Sequence, residues 1–178
     1  MRGFVWLAGF VAVLWIITIL DRLAGFDFQQ FGVVPRDTAS VLGIPLHVFV
    51  HDGFVHLLSN TGPLLVLGGL VSMRGAGTLL AVSVFIVLIA GSGVWLAGRD
   101  GVHIGASGLV FGYFGYLVAR GFFERSLTSV LVAVAVAVFY GGLIFGILPL
   151  DRFVSWEGHL FGLIGGVALA WMSGRDRG

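Results

Sequence analysis

The chain is 178 residues long, 58% apolar and 11% charged, with a mean hydropathy of +1.04, which excludes a water-soluble domain and reads as an integral membrane protein. All ten basic residues are arginine and nine acids leave a net charge of +1, which excludes a nucleic-acid footprint. With no cysteine there is no disulfide framework, thiolate metal site or thiol nucleophile, so any nucleophile is an oxygen.

About 20 apolar residues cross the hydrocarbon core, and six runs approach that length: Phe4 to Leu20, Phe54 to Val71, Thr78 to Ala97, Ser107 to Phe122, Leu127 to Leu148 and Trp156 to Met172. They predict a single all-α domain over 1–178, built as a six-helix transmembrane bundle. Arg2 precedes the first run as in a signal peptide. The run is longer than a signal core and no A-x-A-like site follows before Asp21-Arg22, so it reads as a retained helix. Arg2, Arg74, Arg120, Arg125, Arg175 and Arg177 fall on one side and Arg22, Arg36, Arg99 and Arg152 on the other. Six against four predicts cytoplasmic termini.

The first connection, about residues 21–52, is too long for a turn. Its Phe26, Phe28, Phe31, Leu42, Ile44, Leu46 and Phe49 suit a segment that packs on the bundle or lies in the headgroup zone. At the mouth of the second run comes His47-Val-Phe-Val-His51, followed by His56 and Asn60. If a helix starts near Gly53, His56 and Asn60 are i and i+4 on one face, about 6 Å apart along the axis. Two donors aimed at one point suit a developing oxyanion, each worth about 3 to 4 kcal/mol in acyl-transfer sites. Metal binding is the rival, since His47 and His51 are also i and i+4 if helical and His103 and His159 could complete a set. No Glu follows the first histidine as H-E-x-x-H chemistry requires, and Pro45 and Gly53 interrupt a continuous helix.

Before the fourth run, His103-Ile-Gly105-Ala106-Ser107-Gly108 delivers Ser107 to a helix start, where backbone N–H groups are unsatisfied and the dipole is positive. Ser107 reads either as an ordinary N-cap or as a nucleophile beside ready-made oxyanion donors. In the sixth run stands His159, within Gly158-His159-Leu-Phe-Gly162. Alone it is either a polar residue bonded across helices or a functional group, since ionisable side chains at bilayer depth cost about 2.5 kcal/mol or more. Gly108, Gly112 and Gly115 on one run and Gly158, Gly162, Gly165 and Gly166 on the other permit close backbone approach, which would carry His159 to Ser107. Serine, histidine and a His/Asn donor pair are the parts of serine acyl transfer. Glu157 points to another face and Asp52, Asp100 and Asp151 lie in loops, so a Ser/His dyad is simpler than a triad.

Taken together, six spans, the spacing His51-x4-His56-x3-Asn60, the Gly105-Ala106-Ser107-Gly108 turn and Gly158-His159-x-x-Gly162 resemble a rhomboid intramembrane serine protease over nearly the whole chain. The resemblance implies Ser107 as nucleophile, His159 as general base, and His56, Asn60 and the Ser107 amide as the oxyanion hole. It also implies His51 as a supporting polar position, a partly embedded first loop, a fourth helix starting beneath a water-filled cavity, and a fifth helix that moves to admit substrate. Three positions depart from the family pattern. Phe111 stands where many relatives carry Tyr against the catalytic ring, keeping the stacking but not the hydroxyl. Ser72 stands where relatives often have Glu, and Pro35-Arg36 where some have Trp-Arg.

The expectation is an intramembrane serine endopeptidase without cofactor or metal, in a bacterial or archaeal cell membrane. Its partners would be the lipid bilayer and transmembrane proteins whose helices unwind near small or helix-breaking residues. The alternatives are a non-proteolytic rhomboid-like client-binding protein, which would be expected to lack Ser107 or His159, and a small transporter, against which no internal repeat or paired broken helices are found.

Overall fold

Long runs of Leu, Val, Ala and Ile leave the backbone no hydrogen-bonding partners but its own, and helix is the result. The computed structural model describes residues 2–175 as α1 (Arg2–Ala24), α2 (Gly43–Leu46), α3 (Phe54–Ser72), α4 (Ala76–Ala97), α5 (Ser107–Glu124), α6 (Leu127–Tyr140) and α7 (Trp156–Arg175). Arg177, counted in the charge asymmetry, lies outside the described residues.

The centre is α5 against α7, the most extensive helix pair of the molecule. It forms there because glycine removes the side chains that would hold two backbones apart. A Cβ on Gly162 or Gly166 would land on the Gly108 or Gly112 carbonyl, and one on Gly115 would come within 2.8 Å of the Leu163 carbonyl. Of the outer helices, α4 packs on both, and α1 lies against α3, where Trp15 Nε1–H donates to Thr61 Oγ1 over 3.2 Å. The helix α6 leans on α5 from outside and buries only Ser129 and Val136.

Six spans were the expectation, and the described helices revise how they read. Among the described residues, four segments are long and apolar enough to cross a membrane: Arg2–Ala24, Phe54–Ser72, Ala76–Ala97 and Leu127–Ile147. α5 and α7 fall short because glycines interrupt both and because α5 carries Arg120 and Glu124 and α7 carries Glu157 and His159; α5 is the enclosed helix, whereas α7 keeps Ile164, Val167, Trp171 and Met172 exposed. Most of α5 is buried, including Arg120, so it meets protein rather than lipid and can carry glycine and charge. The fifth run is not one α-helix either. It is helical to Tyr140 and tightens into 3₁₀ turns over Gly141–Ile147, where Gly141, Gly142 and Gly146 lower helix propensity.

The first connection is structured rather than loose. Helix α1 runs on to Ala24, and 3₁₀ turns at Gln29–Phe31, Thr38–Ser40 and His47–Phe49 flank α2. The segment is fastened to the end of α4: Arg36 donates to the Gly98 carbonyl and pairs with Asp100, Trp95 Nε1–H donates to the Asp37 carbonyl, and Ile44 seats its backbone against Gly91. The departures from family pattern find local partners. Arg36 does this anchoring, and buried Ser72 turns its hydroxyl onto the Gly69 carbonyl and packs against Gly3.

Candidate active site

The turn before α5 is held by the first connection. Val33 and His103 exchange both backbone bonds of an isolated antiparallel bridge, at 2.9 and 2.8 Å. Gly105 N–H donates to the His47 carbonyl over 2.9 Å, and Ala106 N–H to His51 Nε2 over 3.3 Å. Gly105 has φ +110°, a conformation that L side chains rarely adopt, and a Cβ there would come within 2.7 Å of the His56 ring. The glycine is thus required twice, for its backbone angle and for the space it leaves. Ala106 occupies the position before α5 with no side-chain cap, so the N-cap reading of Ser107 fails. Ser107 opens the helix, and its Oγ makes no hydrogen bond among the described residues.

His159 lies at the end of the first turn of α7, whose Gly158 carbonyl lies against Gly108. Its ring stacks on Phe111, centroids 4.0 Å apart and planes 8° from parallel. His159 Nδ1 is 2.8 Å from the Gly146 carbonyl. A carbonyl only accepts, so Nδ1 carries the proton and, in the neutral ring, Nε2 holds a lone pair. The missing third member of a triad therefore has a substitute: a backbone carbonyl fixes the tautomer that a carboxylate would otherwise fix. The Ser107–His159 hydrogen bond itself is open here. Such bonds are commonly long in empty sites and tighten with substrate.

His56 and Asn60 share a face of α3, as the i, i+4 spacing predicts. Asp52 N–H donates to His56 Nδ1 over 3.4 Å, which leaves the proton of the neutral ring on Nε2, the nitrogen beside Gly105. Asn60 Nδ2 spends one hydrogen on the His56 carbonyl at 3.1 Å and keeps the other. Ser107, His159, His56 and Asn60 all line one cavity of about 520 Å³. Its rim is polar, with Asp52, Arg99 and Arg152 among its lining residues, and it is faced by the irregular backbone that a membrane tolerates only at such a place.

The remaining histidines go to separate tasks. His47 Nδ1 points at the Gly43 and Ile44 carbonyls, and burial pushes its pKa down. His51 is buried and meets His56 edge to face at 5.1 Å; burial, and then the neighbouring His56, lower its pKa to about 4. It stays neutral and available to accept from Ala106. His103 bonds Ser155 and Arg99 instead of joining the others. Among the described residues no three His, Asp or Glu converge as metal ligands. Glu157 lies buried and pairs with Arg99. Sequence reasoning missed Gly146, Arg99 and Ser155. A carbonyl acceptor has no residue signature, though a Gly-rich break before the sixth run was a readable cue.

Residues 39–176 match a family model described as Rhomboid domain. Among curated proteins, the uncharacterized protein Rv1337 of Mycobacterium tuberculosis is 35% identical over 172 residues, covering 92% of this chain and 72% of that protein. The putative rhomboid protease YdcA of Bacillus subtilis is 30% identical over 133 residues, or 70% of this chain and 63% of the relative. The rhomboid protease GlpG of Salmonella newport is 31% identical over 141 residues, or 71% and 46%.

Proposed function

Because this chain belongs to the rhomboid family of membrane proteases, we propose that it is an intramembrane serine endopeptidase working through a Ser107/His159 dyad. Six helices cross the bilayer in this reading, α5 enclosed by the others, with the termini cytoplasmic and the first connection half-embedded. The substrate is the transmembrane segment of another protein, locally unwound so that an amide reaches the cavity.

The Ser107 hydroxyl attacks the scissile carbonyl as its proton passes to His159 Nε2. The oxyanion that forms accepts from His56 Nε2–H, the free Asn60 Nδ2 hydrogen and the Ser107 amide. Collapse breaks the C–N bond, and the imidazolium returns its proton to the leaving amine. Water then enters through the cavity, gives a proton to His159 as it attacks the acyl carbon, and on collapse the acyl C–O bond to Ser107 breaks while the imidazolium returns that proton to Ser107 Oγ, freeing the carboxyl product. Gly105 and Gly108 keep this wall thin, and His51 braces it through the Ala106 amide.

What supports the reading best is the state of His159: its Nδ1–H is committed to the Gly146 carbonyl, so the lone pair left over belongs to a ring lining the same cavity as Ser107. The test is cleavage of a model transmembrane substrate by purified protein. Wild type cuts, with or without chelator, while Ser107→Ala and His159→Ala each lose at least about a thousandfold in rate. Substrate bound but uncut by wild type would favour a client-binding protein and end the proposal.

A further inference from the structure

The mechanism uses neither of two polar pairs that join the loop before α5 to the first turn of α7. His103 stands four residues before Ser107, and Ser155 four residues before His159. Their side chains meet at 2.6 Å, His103 Nδ1 to Ser155 Oγ. His103 Nε2 faces the Arg99 carbonyl at 2.9 Å, so the proton of the neutral ring sits on Nε2, and Nδ1 accepts from the Ser155 hydroxyl. Ser155 Oγ in turn accepts from Gly158 N–H over 3.3 Å, and the Ser155 carbonyl accepts from His159 N–H over 3.2 Å. Every bond in this chain has one possible direction. Beside it, Arg99 N–H donates to Glu157 Oε1 at 3.2 Å, and its guanidinium pairs with the same carboxylate at 3.5 Å and reaches the Val154 carbonyl.

We propose that His103–Ser155 and Arg99–Glu157 form a polar clasp that sets the register of the Ser107 turn against the His159 turn, making these four positioning residues for the reaction. The inference rests on the dyad proposed above. The loop side of the clasp is already immobilised, since the first connection holds the backbone at His103, Gly105 and Ala106. The α7 side is not. It follows a segment whose Leu150 and Phe153 are about 80% exposed (79% and 83%) and which buries little to fix where α7 begins. His103, Glu157 and His159 are all buried, where each hydrogen bond is electrostatically strengthened; Glu157 makes its contacts to Arg99 through Oε1, and its Oε2 has no hydrogen-bond partner among the described residues. A dyad is sensitive to small displacements, with about 1 Å worth a hundredfold in rate, so the contacts that fix the two turns against each other govern chemistry more than substrate binding.

The test uses the full chain in detergent and reads two rates, fluorophosphonate labelling of Ser107 and turnover of a model substrate. Ser155→Gly is the informative variant, because glycine is tolerated before a helix nearly as well as serine but lacks the hydroxyl. The clasp predicts that Ser155→Gly and His103→Ala each slow labelling and kcat by about 10- to 100-fold with KM within about 2-fold. Ser155→Thr restores both rates. The Ser155→Gly/His103→Ala double variant is no slower than either single one, as expected for partners in one contact. Thermal unfolding of each variant separates lost register from lost fold, and Ser155→Thr against wild type carries the test if a truncation does not fold: a threonine variant at the wild-type rate supports the clasp, and one as slow as a truncation overturns it. Wild-type labelling rates in folded Ser155→Gly and His103→Ala overturn the clasp, as does a raised KM with unchanged kcat. Wild type that takes no probe on Ser107 overturns the dyad along with it.

Discussion

The pair α5/α7 and the segment from α6 through the following 3₁₀ turns differ in almost every physical respect, yet both touch His159. The first is glycine against backbone, close-packed and buried, so that no side chain stands between Ser107's helix and the base. The second presents Leu131, Val134, Val138 and Phe139 outward, at 60%, 56%, 72% and 81% exposure, and holds on through little beyond Ser129 and Val136. Close packing sets the position of the imidazole, and the loosely held segment supplies the carbonyl that sets its protonation. Under the proposed function, any displacement of this segment would also release or reset the protonation of His159.

Substitution of glycines should break the comparison most sharply. Gly162→Ala puts a methyl on the Gly108 carbonyl and forces the central helices apart, with proteolysis expected to fall by at least about a hundredfold and stability by about 1–3 kcal/mol. Gly142→Ala, with nothing within 4 Å of the new carbon, should leave both within experimental scatter; equal losses at the two sites would refute the contrast. Next in size is Gly146→Ala. Its methyl would sit 2.6 Å from Phe111 and 3.3 Å from His159 Nδ1, and displacement of the carbonyl should cost about 10- to 100-fold in kcat with little change in the unfolding midpoint, read by steady-state kinetics beside a thermal melt.

Acid should act on the rigid side. The folded-state pKa of His51 lies near 4 against an ordinary 6.5, so above pH 6.5 the ring is neutral in both folded and unfolded chains. As the pH falls from 6.5 toward 4, the unfolded chain takes up a proton that the folded one refuses. About 3 kcal/mol of stability is lost across that window. Wild type should therefore lose more stability than His51→Gln between pH 7 and 4, and parallel pH profiles would contradict the assignment. The smallest effect expected is at Phe111. Phe111→Ala removes the stack under His159 at a cost of about 2- to 10-fold in rate, and Phe111→Tyr, which keeps the ring, should match wild type in the same cleavage assay; a tyrosine variant as slow as the alanine one would contradict the stacking role.

Much of the arrangement could be read from residue types, because it depends on features that sequence displays directly. Glycine spacing in Gly108-x3-Gly112 and Gly158-x3-Gly162 announced the backbone contact of α5 with α7, and the i, i+4 spacing put His56 and Asn60 on one face. What escaped depends on the backbone or on tertiary context. Apolar content at 127–148 looks like one helix, and only local geometry shows 3₁₀ turns that aim the Gly146 carbonyl at a ring 13 residues later. The lower apolarity of α5 and α7 does not tell which of them is enclosed; only the fold shows α5 mostly buried while α7 keeps an exposed face. Ser155 reads as any residue before a helix, and Arg99 as any loop charge, until the fold sets them beside His103 and Glu157.

The most direct measurement of the central claim is an experimental structure of the protein after reaction with a fluorophosphonate. The account predicts phosphorus bonded to Ser107 Oγ and the phosphonyl oxygen about 2.7–3.1 Å from His56 Nε2 and Asn60 Nδ2, with His159 Nδ1 still on the Gly146 carbonyl. An adduct on another side chain such as Ser155, or a Ser107 adduct whose oxygen turns away from both donors, would contradict it.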